Sequence, residues 1–280
     1  MTQKFLAPGS NRARAPQTRD SSQSPWIPAI WAALYLGLLA VLVFLPGATL
    51  LDRLRWLDSG ICAQLLTHSF YPAGERLPLC ARNTGIYLGF IVTLLTLHVT
   101  GRGRAQRLPP WPMVIVLAGG VVAMAIDGFN SFFLDLGLPH LYQPHNLLRL
   151  ATGLLMGLAL ASCALPMTNR LFWREDNEQR SISSWGTFLL LIPGLILSFF
   201  AVASQSWLTL YPVALLSTAG LVTVLSSVNL IVILGISKRD QSFERYREMI
   251  PFFSLALLLA IGELLALAQV KVALLQALGI

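Results

Sequence analysis

Two cysteines, Cys62 and Cys80, flank a polar stretch in an otherwise apolar chain, and Arg76, Arg82 and Asn83 surround the second cysteine. Thiols form disulfides or ligate soft metals, and arginine holds carboxylates or phosphates through paired hydrogen bonds. This segment therefore has the side chains for redox, metal or anion chemistry.

Two acids, Asp127 and Glu263, lie within long apolar runs. A carboxylate inside a membrane costs about 2.5–3.5 kcal/mol on insertion scales and usually faces protein or water. At 1.5 Å of rise per residue, Asp127 and Arg149 come at similar depths, and Glu263 comes several ångströms deeper. The sequence therefore predicts a polar pocket floored by Glu263. Its walls and rim are formed by Asp127, Arg149, Arg82, Asn83 and Asn146.

Purely structural roles fit the same residues. Asp127 and Arg149 could form one buried ion pair that fixes helix register, and Asp127 before Gly128 could end a helix. Glu263 could be protonated and hydrogen-bonded to a neighbouring helix. Asp127 and Glu263 are thus candidates for proton transfer or binding without a defined reaction.

The surrounding elements are apolar runs of about the length a membrane requires. The chain of 280 residues is 55% hydrophobic and 12% charged, with mean hydropathy +0.65, whereas soluble domains carry about 25% charged residues. The runs do not alternate with period two, which predicts helices. We therefore predict an all-α, polytopic transmembrane bundle. Its seven spans are 27–45, 84–99, 112–129, 146–166, 185–203, 211–236 and 251–270.

The basic residues predict an orientation. Fourteen of the 20 Lys and Arg lie in the N-terminal tail and in the connections after the second, fourth and sixth spans. Because positive charge favours the cytoplasmic side, the N-terminus is expected in the cytoplasm and the C-terminus outside. The protein is then a multi-pass component of the bacterial cytoplasmic (inner) membrane, and the cysteines lie on the outer side.

The chain divides into a tail and one domain. Residues 1–25 are polar and basic, which predicts a disordered tail, and residues 26–280 form the membrane domain. The longest connection, 46–83, begins with leucines at helical spacing from Leu50 to Leu65, which indicates an amphipathic helix. Pro72, Gly74 and Pro78 then indicate a loop.

The stretch from Ile61 to Phe90 resembles the front motif of an uncharacterised prokaryotic membrane family, domain of unknown function 2085. That pattern reads Cys-His-Gln, then Ser-Phe, then Pro-Leu-Cys-Ala-Arg-Cys-Thr-Gly-Ile-Tyr-Leu-Gly. IDGFNSFF followed by HNLLRLATG is similar to the second block of the family, so the resemblance covers about Ile61–Gly157. It implies a shared site and supplies no reaction.

This chain departs from that pattern at two possible metal ligands. Ala63 replaces the His, and Asn83 replaces the second Cys of the Cys-x-x-Cys pair. Cys62 and Cys80 with His68 lack a fourth zinc ligand, so neither metal nor cofactor is expected. A Cys62–Cys80 disulfide fits an oxidising compartment and would contribute about 3 kcal/mol in the chain-entropy model; two unpaired thiols are the alternative.

The sequence contains no recognised catalytic signature, so enzymatic activity is left open and not favoured. Binding of a small polar or anionic solute, or of a lipid headgroup, in the outward pocket is the favoured function. The alternatives are an accessory subunit of a membrane complex and an enzyme acting on a lipid-linked substrate. Membrane lipids are the expected partners. A protein that contacts the 46–83 connection or the small-residue helix faces is a further candidate partner, and nucleic acid is not expected.

Overall fold

The computed structural model describes residues 45–279, which form seven α-helices and contain no strand. The predicted all-α class is therefore confirmed for this part of the chain. Two 3₁₀ turns, Leu66–His68 and Pro72–Gly74, separate the first two helices. The helices are α1 (Leu50–Asp58), α2 (Ala81–Val99), α3 (Trp111–Asp135), α4 (Asn146–Phe172), α5 (Trp185–Ala203), α6 (Trp207–Ser237) and α7 (Tyr246–Ala277).

Five of these helices, α3 to α7, are long and apolar enough to cross a membrane. They correspond to five of the seven predicted spans. Helix α2 corresponds to a sixth, but it falls outside this set and its first turn carries Arg82 and Asn83. The predicted span 27–45, apart from Leu45, and the tail 1–25 lie outside the described residues.

Glycines bring α2 and α4 unusually close, and this pair makes the most extensive helix contact of the described chain. A Cβ added to Gly85 would lie 2.5 Å from the backbone oxygen of Leu150, and one added to Gly153 would lie 2.4 Å from that of Arg82. Small residues allow such approach between membrane helices. The small-residue faces of the two helices therefore pack against each other within the chain.

One end of the bundle, here the cysteine end, contains the connections 45–80, 136–145 and 204–206. The connections interlock there: Asn146 donates to the carbonyls of Thr67 and Ser69, at 3.2 and 3.1 Å, and the N–H of Ala73 donates to the carbonyl of Gln205. The long connection before α2 is therefore tied to the ends of α4 and α5.

The opposite end, here the basic end, contains the connections 100–110, 173–184 and 238–245. The N–H of Ser181 donates to the carbonyl of Arg107, and the N–H of Arg174 donates to that of Phe243. Asn169 donates from Nδ2 to the carbonyls of Gly103 and Ala105, both at 2.9 Å. All three connections are thus joined by backbone or amide hydrogen bonds.

Helix α1 is shorter than the predicted amphipathic stretch. It starts at a capping box, in which Thr49 and Asp52 each bond the other's backbone N–H. It ends at Asp58, and Gly60 then packs against the backbone of α7, where a Cβ would lie 2.7 Å from the oxygen of Leu264. The buried face of α1 consists of Leu51, Leu54, Leu57 and Asp58.

Candidate functional site

A partly buried ion pair joins α2 to α3 at the cysteine end. Arg82 Nη2 donates to Asp127 Oδ2 at 2.6 Å and to the backbone oxygen of Asp127 at 3.1 Å. Tyr142 donates its hydroxyl to Asp127 Oδ1 at 3.0 Å. Asp127 is only 1% exposed, and both of its carboxylate oxygens are hydrogen-bonded.

A second arginine, Arg149, enters the same cluster from the first turn of α4. Its Nε donates to Ser131 Oγ at 3.3 Å and its Nη1 donates to Asn146 Oδ1 at 2.8 Å. Ser131 also accepts a hydrogen bond from Arg82 Nη2 at 3.1 Å, so one hydroxyl lies between the two guanidinium groups. We call Arg82, Asp127, Ser131, Asn146 and Arg149, together with Tyr142, the arginine cluster.

The arginine cluster has more positive than negative charge. Arg149 is 4% exposed, and among residues 45–279 no carboxylate forms an ion pair with it. Asp135 instead contacts His68, with Nε2 3.2 Å from Oδ1. Burial and then the charge of Arg149 lower the pKa of His68, which favours the neutral ring. The arginine cluster therefore contains two guanidinium groups and one carboxylate, that of Asp127, which pairs with Arg82.

The structure brings together four of the six predicted binding residues: Arg82, Asp127, Asn146 and Arg149. Asp127 pairs with Arg82. It does not pair with Arg149, the partner suggested by the similar depths of the two residues below the membrane surface. Glu263 lies elsewhere, on an exposed face of α7, where its Oε2 accepts a hydrogen bond from Asn229 of α6 at 3.1 Å. Asn83, in the first turn of α2, lies near Cys62 and helps to lower the pKa of its thiol.

The two cysteines of the opening motif are adjacent free thiols. Cys80 is the N-cap of α2, and its backbone N–H donates to Cys62 Sγ at 3.3 Å. A hydrogen bond from the Cys80 thiol, supported by backbone and Asn83 donors, lowers the pKa of Cys62 to about 6 despite burial. The same bond, with burial and the Cys62 charge, raises the pKa of Cys80. The predicted disulfide partners are thus close, and the disulfide itself stays a prediction.

Asp58 is a site residue that the sequence reasoning missed. It is 0% exposed, its Oδ2 accepts a hydrogen bond from Thr218 Oγ1 at 2.7 Å, and its Oδ1 has no partner among residues 45–279. Burial, together with the charge of Cys62, raises its pKa to about 7, and the Thr218 bond opposes this rise. Its spacing after Leu51 and Leu54 was the available signal, because residues three, four and seven apart share a helix face.

Metal ligation has little basis in this part of the chain. Among the described residues no group of three or more His, Cys, Asp and Glu side chains is arranged to hold a metal ion. Cys62 and Cys80 lie beside Asn83, which supplies an amide where a third thiol would be required. The donor set therefore does not fit a tetrahedral zinc site.

A cavity lies towards the basic end, between α2, α4, α6 and α7. Its volume is about 510 Å³, within the usual range for ligand pockets. Apolar side chains such as Phe90, Leu165 and Phe253 form most of its wall, and His98 and Asn169 contribute polar atoms. This cavity is separate from the arginine cluster.

Comparisons with known proteins find matches over the region that contains the arginine cluster and the two cysteines. Residues 62–163 match the model of a family described as a predicted membrane protein, DUF2085, which confirms the resemblance found in the sequence. The chain is also 28% identical over 116 residues to the uncharacterized protein MJ1492 of Methanocaldococcus jannaschii, covering 41% of this chain and 68% of that protein. No solved structure matches. Both cysteines, Arg82, Asp127 and Arg149 lie within the matched range.

Proposed function

We propose that this multi-pass membrane protein binds a small anion, or the anionic headgroup of a lipid, at the arginine cluster. The observation that carries the proposal is the environment of Arg149, which is buried beside a second arginine and has no carboxylate partner among the residues that the structure describes. A buried charge is costly unless it is paired. Phosphate is a suitable partner, because guanidinium groups bind it through short, charge-assisted hydrogen bonds.

The geometry of the cluster supports an oxyanion. Ser131 Oγ lies within hydrogen-bond distance of both guanidinium groups, at 3.1 and 3.3 Å, so the two cations are close neighbours. Arg149 Nη2 has no hydrogen-bond partner among the described residues, and Arg82 Nε is likewise unpartnered. Donors therefore remain on each arginine for a ligand that carries negative charge.

We further propose that the cysteine end faces the exterior of a bacterial cell and that the basic end faces the cytoplasm. The three connections at the basic end carry or border ten of the Lys and Arg residues, as expected for cytoplasmic loops. Gln143→Cys at the cysteine end and Gln179→Cys at the basic end, each in a background with the three native cysteines replaced, form a matched pair. An impermeant thiol reagent should label only Gln143→Cys in intact cells, and the reverse pattern would contradict this orientation.

Binding can be measured with inorganic phosphate and with lipid separately. Purified protein in neutral detergent is titrated calorimetrically with phosphate, and native mass spectrometry measures retained phosphatidylglycerol. Arg149→Gln should weaken binding by about 10- to 100-fold, since a charge-assisted hydrogen bond contributes about 1.5–3 kcal/mol, and Arg149→Lys should lose less.

Arg53→Gln is the matched control, because Arg53 lies at the cysteine end and its side chain, within the described residues, bonds only the carbonyl of Gly47. Saturable phosphate binding would identify a free anion as the ligand, whereas retention of phosphatidylglycerol alone would identify a lipid headgroup. Binding by Arg149→Gln as tight as that of the unmodified protein would refute the site.

A further inference from the structure

The contact between Cys62 and Cys80 creates a dithiol whose two members have different surroundings. Cys62 is 3% exposed and follows α1, whereas Cys80 is partly exposed and caps α2. Cys62 Sγ therefore faces the partly positive N-terminal end of a 19-residue helix, which favours the thiolate. The backbone N–H of Cys80, 3.3 Å away, is directed at that sulfur.

A buried carboxyl lies one helical turn before this sulfur. The N–H of Cys62 donates to the carbonyl of Asp58 at 3.0 Å, and Asp58 Oδ1 is buried without a partner in the described part of the chain. Thr218 of α6 fixes only the other oxygen. Buried polar atoms are nearly always hydrogen-bonded, so this unpaired oxygen, in the helix that precedes Cys62, requires an explanation.

The remaining titratable groups around Cys62 come from two other helices. Tyr87 of α2 packs in the same apolar cluster as both cysteines. Lys271 of α7 donates from Nζ to the carbonyl of Cys62 at 3.1 Å. From α6 the facing polar group is the uncharged Thr218. Asp58 is thus the acid closest in sequence to Cys62 and lies in the same buried environment.

We propose that Cys62 and Cys80 form a redox-active dithiol that is oxidised by hydrogen peroxide. Cys62 is the attacking thiolate, Cys80 is the resolving thiol, and Asp58 transfers the protons. The oxidant must be small and uncharged, because Cys62 is almost completely buried. This site is independent of anion binding at the arginine cluster.

The reaction begins when the Cys62 thiolate attacks one oxygen of hydrogen peroxide. An S–O bond forms and the O–O bond breaks, giving a sulfenic acid, and the leaving hydroxide takes a proton from the Asp58 carboxyl to form water. The Cys80 thiol then gives its proton to the Asp58 carboxylate, and its sulfur attacks Cys62 Sγ. An S–S bond forms, the S–O bond breaks, and hydroxide leaves as water with that proton.

Overall, the two cysteines lose two electrons, and one molecule of hydrogen peroxide accepts them. One thiolate, one thiol, one carboxylic acid and one hydrogen peroxide give one disulfide, two waters and one carboxylate. The product is the Cys62–Cys80 disulfide predicted from the sequence. An added dithiol reductant would restore the starting state.

The test uses reduced, detergent-purified full-length protein with Cys163→Ala, so that only the two thiols of interest remain. The Cys80→Ser variant should form a dimedone-trapped sulfenic acid at Cys62. Its oxidation at pH 7 should be about tenfold or more faster than that of Cys80 in the Cys62→Ser variant. With both cysteines present, peroxide should remove two hydrogens from the mass, and dithiothreitol should restore them.

Asp58→Asn tests the proton-transfer role through a pH profile. In the Cys80→Ser background the oxidation rate should fall above about pH 7 when Asp58 is present, since the acid form is lost there. With Asp58→Asn the rate should rise as the Cys62 thiolate forms and then level off instead of falling, and the rate at pH 6 should be about tenfold lower. Equal and slow oxidation of both single-cysteine variants, or a Cys62–Cys80 bond that dithiothreitol cannot reduce in the folded protein, would overturn the proposal. Identical pH profiles with and without the Asp58→Asn substitution would overturn the role of Asp58 in proton transfer.

Discussion

Arg82 and Asp127 pair across the α2–α3 interface, with Nη2 2.6 Å from Oδ2, and both oxygens of the carboxylate are bonded. Helix α4 packs against both partner helices. This ion pair therefore joins α2 to α3, and Arg149 of α4 is the guanidinium of the arginine cluster that has no ionic partner among the described residues.

Removing the carboxylate should destabilise the protein strongly. Asp127→Asn leaves Arg82 and Arg149 close together in a buried site without a counter-charge, and loss of one partner of a buried pair costs about 3–5 kcal/mol. The unfolding temperature in detergent should fall clearly. The exposed Asp240→Asn is the control and should change stability by less than about 0.5 kcal/mol. A similar unfolding temperature for both variants would contradict the pairing.

Asp58 should make stability depend on pH in an unusual direction. Its pKa in the folded protein, about 7, is above the ordinary 3.8, so the folded state binds this proton more tightly than the unfolded state. Its contribution is present below about pH 4 and is lost as the pH rises to about 7, on the order of 4 kcal/mol in total.

The Asp58→Asn variant should remove this dependence while still accepting a hydrogen bond from Thr218. Its unfolding temperature should exceed that of the unmodified protein at pH 8, and the difference should shrink at pH 4.5. Thermal unfolding at the two pH values measures both quantities. A difference of the same size at both would show that Asp58 keeps an ordinary pKa.

The α2–α4 contact should not tolerate a side chain at Gly153. A Cβ there would lie 2.4 Å from the backbone oxygen of Arg82, which cannot rotate away, so Gly153→Ala should cost about 1–3 kcal/mol. Gly119→Ala on α3 is the control, because nothing lies within 4 Å of its added Cβ. That variant should be neutral or gain up to about 1 kcal/mol from helix propensity. Comparable losses in the two would contradict the close packing.

Glu263 should be dispensable for anion binding. It bonds Asn229 on an exposed face and has no hydrogen bond to any member of the arginine cluster. Glu263→Gln should therefore bind phosphate or phosphatidylglycerol as tightly as the unmodified protein, in the assays that Arg149→Gln fails. A tenfold loss with Glu263→Gln would instead support the pocket floor predicted from the sequence.

The sequence was sufficient for the long helices, because an apolar run of about 20 residues has few alternatives to a spanning helix. Asp127 and Arg149 were also correctly placed near one another at the same end. The residues with which they pair were not predictable, because the depth of a residue along a helix does not show towards which neighbouring helix its side chain points. The pairing of Asp127 with Arg82 depends on how α2 and α3 face each other.

Asp58 shows a different limit of sequence reasoning. Its position in an amphipathic stretch suggested one more solvated charge, although its spacing from Leu51 and Leu54 placed it on the apolar face. Glu263 is the converse case, because a central position in an apolar run did not imply a buried side chain.

The hydrogen bonds that join the three connections at the basic end restrict how the bundle can move. Backbone hydrogen bonds join Ser181 to Arg107 and Arg174 to Phe243, and they connect neighbouring helix termini. The side chain of Asn169 adds two further hydrogen bonds. A movement of the helices that opened a path through the protein at this end would have to break these hydrogen bonds. The cysteine end, held mainly by side chains around Arg82 and Asn146, is the end where a ligand could enter and leave without disturbing the other surface.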